Sequence, residues 1–413
     1  MCREELIQHL FRTEFRKITS VLCKTFGIAQ IELAEDIVSD TFLLAAEKWE
    51  ANNIPDNPAA WLYAVARNKT KDYFKRDKIF SDKVAVELQQ QQAGSNYEID
   101  INLSEENIAD SQLQMMFAIC HPGISKEAQI GLSLRILCGF SIDEIASAFL
   151  TNKETINKRL FRGKSKLREL GVKMAFPNTK EIDNRLENVL ATLYLLFNEG
   201  YYSATKHRGL RKDLCCEAMR LVFLLVENKY TNQPETNALL SLMCFHASRF
   251  EARTNENGEM VLYDDQDKIL WNTELISRGE FYLNEAARGG KITKYHLEAA
   301  IAYWHTQTTE VEEKWEQVLM LYNQLLQVEY SPMAALNRTY ALSKVNGKKA
   351  AVKEAEKLKL SGNYWFHMLL GNLYVDLDDK KASHHFKKAS KLAKNEAEKE
   401  FIENRMELLI IKE

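Results

Sequence analysis

Apolar residues recur at helical spacing along almost the whole chain. Ile37, Phe42, Leu44 and Ala45 line one stretch, Ile142, Ile145, Ala146 and Phe149 a second, and Ile156, Leu160, Leu167 and Leu170 a third. The period continues through Leu186, Val189, Leu190, Leu193, Leu196 and Phe197, then Leu214, Ala218, Leu221, Val222 and Leu225, then Leu240, Met243, Cys244 and Ala247. Each set puts a stripe on one side of a helix, which must be buried against another element. An all-α fold is expected, with a turn or short hairpin around Asn257-Gly258.

Helix-start signals sharpen the pattern between residues 141 and 170. Ser141 with Glu144, and Thr151 with Glu154, have the spacing of a capping box, whose side chains satisfy backbone N–H groups of a first turn. Two helices beginning ten residues apart make a helix-turn-helix. Lys153 to Lys173 holds eight Lys or Arg against two Glu, a local charge of +6. Arg159, Arg162 and Lys166 share one face able to meet phosphates and base edges together. A solvated surface helix would carry a similar charge run, and helix-turn-helix spacing is shared by repressors, activators and initiation factors.

A second basic element lies nearer the N-terminus, where residues 1–78 read as a compact helical domain. In LAEDIVSDTFLLAAEKW (33–49) the polar residues Glu35, Asp36, Ser39 and Asp40 form an acidic front. The loop NNIPDNPAA follows, and Pro58 opens a helix to about Arg76. From Trp61 to Lys78 six basic residues face two acids, a charge of +4, and Arg67, Lys71 and Lys75 make a ridge for a phosphate backbone. Trp61 either packs inward or stacks on an unpaired base, whereas Tyr73 is expected in the core. Residues 79–110, with Gln89 to Gln92, Gly94 and many acids, read as an acidic tether; from Asp77 to Asp110 the charge is −6.

Composition narrows the class. A chain of 413 residues, 46% hydrophobic and 27% charged, has the make-up of a globular protein of two to four domains. Its net charge of −3 leaves any nucleic-acid affinity to local basic faces. Seven cysteines, none in a CxxC or zinc-finger spacing, imply buried thiols in a reducing compartment, the adjacent Cys215 and Cys216 included, and no metal or cofactor. The charged N-terminus MCREELIQHLFR lacks a signal-peptide core, and no apolar run approaches membrane length, so a soluble cytoplasmic protein without a membrane partner is expected.

Towards the C-terminus the pattern repeats. Leu370, Gly371 and Tyr374 followed by Ala382, Phe386 and Ala389 nearly reproduce tetratricopeptide spacing; Leu336, Asn337 and Tyr340 with Ala351, Ala355 and Leu358 form a weaker copy, and Trp315 to Pro332 a half-repeat. A generic helical bundle would also carry these positions, and stacked repeats would present a face to a protein partner.

Together the two basic helices and the tether resemble an extracytoplasmic-function sigma factor, the minimal bacterial sigma-70 type with regions 2 and 4 only. AEDIVSDTFLLAAEKW (34–49) resembles region 2.2, NPAAWLYAVARNKTKDYFKRDK (57–78) regions 2.3 and 2.4, and SIDEIASAFLTNKETINKRLFRGKSKLREL (141–170) region 4.2. With CHPGIS (120–125) and LFNEGYYSA (196–204), the layout is similar to the group with a long C-terminal extension of tetratricopeptide-like repeats. The resemblance implies a region 2 domain over 1–78, the linker 79–110, a region 4 domain over 111–175, and an all-helical extension over 176–413 with repeats in about 310–413. It implies docking on core RNA polymerase, on the clamp helices of the largest subunit and the flap of the second-largest. Asp36, Ser39, Asp40 and Phe42 would hold polymerase. Asn53, Asp56, Asn57, Trp61, Arg67, Asn68, Lys71, Lys75 and Arg76 would capture the minus 10 element, and Lys153, Thr155, Lys158, Arg159, Arg162 and Lys166 would read the minus 35 element of promoter DNA. In that group the extension is thought to take the place of a separate anti-sigma factor.

Two rivals stand beside this reading. A helix-turn-helix regulator without polymerase would explain 141–170 but leave the 57–76 helix unused. An enzyme in the extension would need more than the acids of 252–271, which no His, Cys or Ser constellation accompanies, so no catalytic residue is expected.

Overall fold

The computed structural model describes residues 3–49, 54–76, 101–149, 151–178, 181–201, 212–253, 261, 263–307, 313–393, 399, 402–403 and 405–406; among them the regular elements are helical, with no strand. They form two compact units, residues 1–200 with 227–231, and residues 201–226 with 232–413.

In the first unit α1 (Arg3–Phe26), α2 (Ile31–Lys48) and α3 (Pro58–Arg76) pack around a phenylalanine cluster. Phe15 lies 4.7 Å from Phe11 and 6.5 Å from Phe42, ring centre to ring centre. Next comes α4 (Glu105–Ile119), capped by Ser104, whose hydroxyl accepts from Asn107 N. It runs along α1 and is pinned there by Lys24 Nζ, 2.8 Å from Asn107 Oδ1 and 2.5 Å from Asp110 Oδ2. The acidic stretch read as a tether to residue 110 is therefore helix from Glu105, and Ile101 before it is already buried. Acids in a first turn suit the helix dipole as well as they suit a solvated linker.

Helix α5 (Lys126–Leu132) runs into a π turn over Ser133–Leu137, and α6 (Ile142–Ala148) and α7 (Lys153–Glu169) follow. Gly163 lets α7 approach α5: a Cβ there would lie 3.1 Å from Leu132 and 3.3 Å from Ala128. The next helix, α8 (Ile182–Tyr201), belongs to this unit up to Gly200, later than the break expected at residue 176. The reason is a polar hub at Gln129. Its amide donates to the carbonyls of His121 (3.1 Å) and Ile124 (2.9 Å), while its oxygen accepts from Asn188 (3.1 Å) and Thr192 (2.9 Å) of α8. Arg185 adds a 2.7 Å bond to the Phe117 carbonyl. Hydrophobic periodicity shows none of these long-range bonds.

The second unit contains α9 (Lys212–Glu227, as far as Val226) and α10 (Pro234–Ala247), whose residues from Thr236 to Phe245 are all buried. A helix buried all round is an interior one; α11 (Thr273–Ala286) and α12 (Lys294–Thr306) flank it. Beyond them lie α13 (Lys314–Val328) and the pairs α14 (Pro332–Asn346) with α15 (Lys348–Lys357) and α16 (Tyr364–Tyr374) with α17 (Asp379–Leu392), where the sequence placed repeats. Leu370, Tyr374, Ala382, Phe386 and Ala389 share one buried cluster with Leu336, Ala351 and Ala355. Cys216, expected in the core beside Cys215, is exposed, and the Asn257-Gly258 turn lies outside the described residues.

Two properties of the α16–α17 pair are measurable. A Cβ on Gly371 would meet the Phe386 ring at 2.5 Å, so Gly371→Ala is expected to lose about 1–3 kcal/mol of stability through overpacking; an unchanged urea midpoint would contradict this contact. His367 Nε2 donates to the Ser361 carbonyl, leaving its Nδ1 to accept from His385 Nδ1 at 2.9 Å, which requires a neutral His367 ring. Burial, then the neighbouring His367, His384 and Lys388, push the His385 pKa down to about 4 from 6.5. This stabilisation is present above pH 6.5, falls as the pH drops through that window and levels off below about 4. An NMR titration placing His385 above its ordinary value would contradict it.

Candidate nucleic-acid and polymerase interface

Helix α3 begins at Asn57, whose side chain accepts from Ala60 N at 3.0 Å, with Pro58 needing no partner for its nitrogen. Asp56 and Asn57 are exposed at its entrance, whereas Asn53 lies outside the described residues. Trp61 is half-buried, edge-on to the buried Trp49 with centres 5.3 Å apart, so one part of its ring packs and another stays accessible. Arg67 and Asn68 are exposed, Lys71 is half-buried, and Lys75 and Arg76 occupy the last turn. Tyr73, expected inside, is exposed; its neighbour Phe74 does the packing, 4.9 Å from Phe26. Arg67, Tyr63 and Ala60 line an open cavity of about 570 Å³ with residues 101–104. Tyr63 donates to Glu14 Oε2 at 2.5 Å, and burial together with that carboxylate pushes its pKa up, keeping it a donor.

Along α2 the residues Asp36, Ser39 and Asp40 face outward, Asp40 lying 3.6 Å from Lys69. Phe42 does not join them: it is 5% exposed, locked against Phe11 at 5.1 Å. The outward apolar residue is Leu43, 59% exposed. Two adjacent apolar residues leave the phase of a helical stripe open, and the ring of Phe11 settles it.

The helix-turn-helix has the expected cap at Ser141, with Glu144 N 3.2 Å from its hydroxyl and Ser141 N donating to Glu144 Oε2 at 2.8 Å. The cap of α7 is Asn152 rather than Thr151, its Oδ1 accepting from Thr155 N at 2.8 Å. Thr155, Lys158, Arg162 and Lys166 are exposed, as is Phe161 among them. Lys153, Lys158 and Lys166 make surface ion pairs with Asp143 (2.5 Å), Glu154 (2.6 Å) and Glu169 (3.0 Å). Such pairs hold the ammonium groups by at most about 1 kcal/mol, so a phosphate can displace them. Arg159 leaves the outward face: its guanidinium stacks 5.2 Å above the Phe149 ring.

These two basic elements belong to one unit, joined by Glu35, which the sequence placed on the acidic front of α2 and which the fold turns inward instead. Glu35, 8% exposed, accepts from Arg135 Nε at 3.1 Å and from Lys164 Nζ at 2.6 Å. Arg168 with Glu32 (3.4 Å) and Arg12 with Glu144 (3.3 Å) border it.

Residues 10–79, which hold most of α1 and all of α2 and α3, match the model of sigma-70 region 2. The chain carries a sigma-70 region 2. Sigma-70 proteins act with RNA polymerase in promoter recognition, and the exposed faces of α2 and α3 lie inside the matched stretch. Residues 185–287 match a family of unknown function (DUF6596). An uncharacterized protein of Rhizobium meliloti (strain 1021) is 33% identical over 382 residues, 92% of this chain and 90% of that protein. The chain therefore belongs to one family with the Rhizobium protein. No solved structure matches. Among the described residues no helix is long and apolar enough to cross a membrane, and no group of three or more His, Cys, Asp or Glu could hold a metal ion.

Replacing Glu35 by Leu strands two cations in a nearly closed junction. A loss of about 3–5 kcal/mol in urea unfolding is expected; a loss under about 1 kcal/mol, the size of an exposed pair, would contradict the buried junction.

Proposed function

We propose that the chain is a sigma factor of the extracytoplasmic-function type, controlled by its own C-terminal extension. The observation that carries the reading is the match of α1–α3 to sigma-70 region 2, together with a second, capped helix-turn-helix whose exposed face is basic. Polymerase docks on α2 through Asp36, Ser39, Asp40 and Leu43, an apolar side chain ringed by polar ones as at a protein interface. Asp56, Asn57, Trp61, Arg67, Asn68 and Lys71 take the minus 10 strand, with Lys75 and Arg76 at the helix end. Thr155, Lys158, Arg162 and Lys166 meet the minus 35 element, and Phe161 is placed for a thymine methyl group.

Control by the extension is supported by the seat of α8 at Gln129, which also holds the loop before α5. Whatever displaces α8 disturbs the support of the helix-turn-helix. The helix pairs α14–α15 and α16–α17 serve as tetratricopeptide-like repeats for a protein partner.

Two substitutions separate the two surfaces. Leu43→Arg is expected to weaken binding to core RNA polymerase by about tenfold or more while leaving the melting temperature unchanged, since the side chain is exposed. Arg162→Ala is expected to leave polymerase binding intact and to cost about 1–3 kcal/mol in promoter binding by the holoenzyme. Anisotropy titrations with labelled protein and labelled promoter measure both. Equal affinities for wild type and variants would sink the assignment.

A further inference from the structure

Three cationic side chains are buried close to aromatic rings in the second unit. Arg249 and Arg253, just after α10, and Lys314, at the start of α13, are 7%, 9% and 8% exposed. Two of them converge on Tyr263: the Arg249 guanidinium lies 5.4 Å from its ring centre, and Lys314 Nζ lies 5.3 Å from the ring and 2.8 Å from the hydroxyl. Arg253 lies 3.9 Å over the ring of Tyr201. Trp271, 6.3 Å from Tyr263, and His305, edge-on to Tyr263 at 4.9 Å, complete an aromatic wall.

The polar atoms of this nest are not all used. Arg249 Nε, Trp271 Nε1, His305 Nδ1 and Gln266 Oε1 are buried with no hydrogen-bond partner among the described residues. Burying a cation with an idle N–H is costly, and native proteins keep such groups where something else completes them. The neighbouring acids are engaged: Asp264 accepts from Tyr340 at 2.7 Å and pairs with Lys344 at 3.4 Å, and Asp265 pairs with Arg405 at 3.3 Å. Positive charge dominates the interior accordingly. Burial, then Arg249 and Lys314, push the His305 pKa down to about 3; burial, then Arg249, Arg253 and His305, hold His246 neutral as well. Tyr263, Gln266 and His305, at its edge, are half-buried.

We propose that this nest binds a small oxyanion, a carboxylate or phosphate group, held by Arg249 and the Trp271 indole N–H beside Tyr263. Arg guanidinium and neutral N–H donors are the usual means of holding such groups, and aromatic walls suit a flat organic body attached to one. Arg249, Tyr263 and Trp271 lie within residues 185–287, so the site would supply the matched family of unknown function with a ligand. It stands independently of promoter recognition.

Isothermal titration calorimetry and thermal melting of the full chain at constant ionic strength, with inorganic phosphate, succinate and chloride as probes, test it. Saturable binding and a rise in melting temperature are expected with phosphate or succinate and not with chloride; which of the two binds separates the two sources. Arg249→Met is expected to melt at or above the ligand-free wild type, because an unmatched buried charge is gone, and to bind at least about tenfold more weakly. Trp271→Phe keeps an aromatic ring, loses the N–H and is expected to weaken binding where the Arg249 variant does not fold. Arg288→Met, an exposed cation elsewhere, is expected to bind as wild type. No saturable response of the wild type to either oxyanion, or full response of both site variants, overturns the proposal. So does an Arg249→Met protein that folds but melts lower while the wild type ignores both anions, the signature of a purely bracing cation.

Discussion

One buried carboxylate sets the arrangement of the first unit. Glu35 sits on α2 between the guanidinium of Arg135 and the ammonium of Lys164, one from the π turn after α5 and one from α7. A carboxylate so enclosed is tolerated because both oxygens are matched, and removing any partner leaves charge in a poor solvent for it. The helix that turns Asp36, Ser39, Asp40 and Leu43 outward is thereby the same helix that holds the helix-turn-helix in place. Two minimal helical domains behave as one unit through it, and the Gln129 hub adds α8 to that unit.

This economy bears on how such a factor works. Region 2 and the helix-turn-helix serve separate DNA elements in the proposed function, and on that proposal the buried ion cluster between them is a contact exchanged when polymerase and promoter take hold. Ion pairs suit that exchange better than an apolar seam, because their replacement by hydration or by other charges offsets much of the loss. The outward basic residues of α7 need no such change, since their partners are exposed and weakly held.

Legibility from sequence tracked the range of the interactions. Local signals were readable: the Ser141–Glu144 cap, Pro58 at the start of α3, the apolar periods and the all-α class. Thr151 and Asn152 are both good caps, and one residue of ambiguity there is inherent in cap chemistry. Phe42 lies in the apolar stripe and not on the outward face that the resemblance gave it, because the phase of a stripe is fixed by its partner, here Phe11 on α1, and Leu43 is the residue left outside. Arg159 counts as basic in any sequence window, yet Phe149 draws it off the outward face. The acids at Glu105 and Glu106 look like linker until Lys24 is seen pinning the helix they begin. Buried cations such as Arg249 carry no mark in sequence that separates them from solvated ones.

On the proposed function, residues 1–175 make this chain a promoter-directing subunit of RNA polymerase. Transcription in vitro tests it most directly: purified full-length protein, core RNA polymerase and a library of promoter fragments that includes the DNA upstream of its own gene. Specific transcripts that require both protein and core are the predicted result. An active core that yields none across the library, while the protein alone binds duplex DNA, would contradict the account.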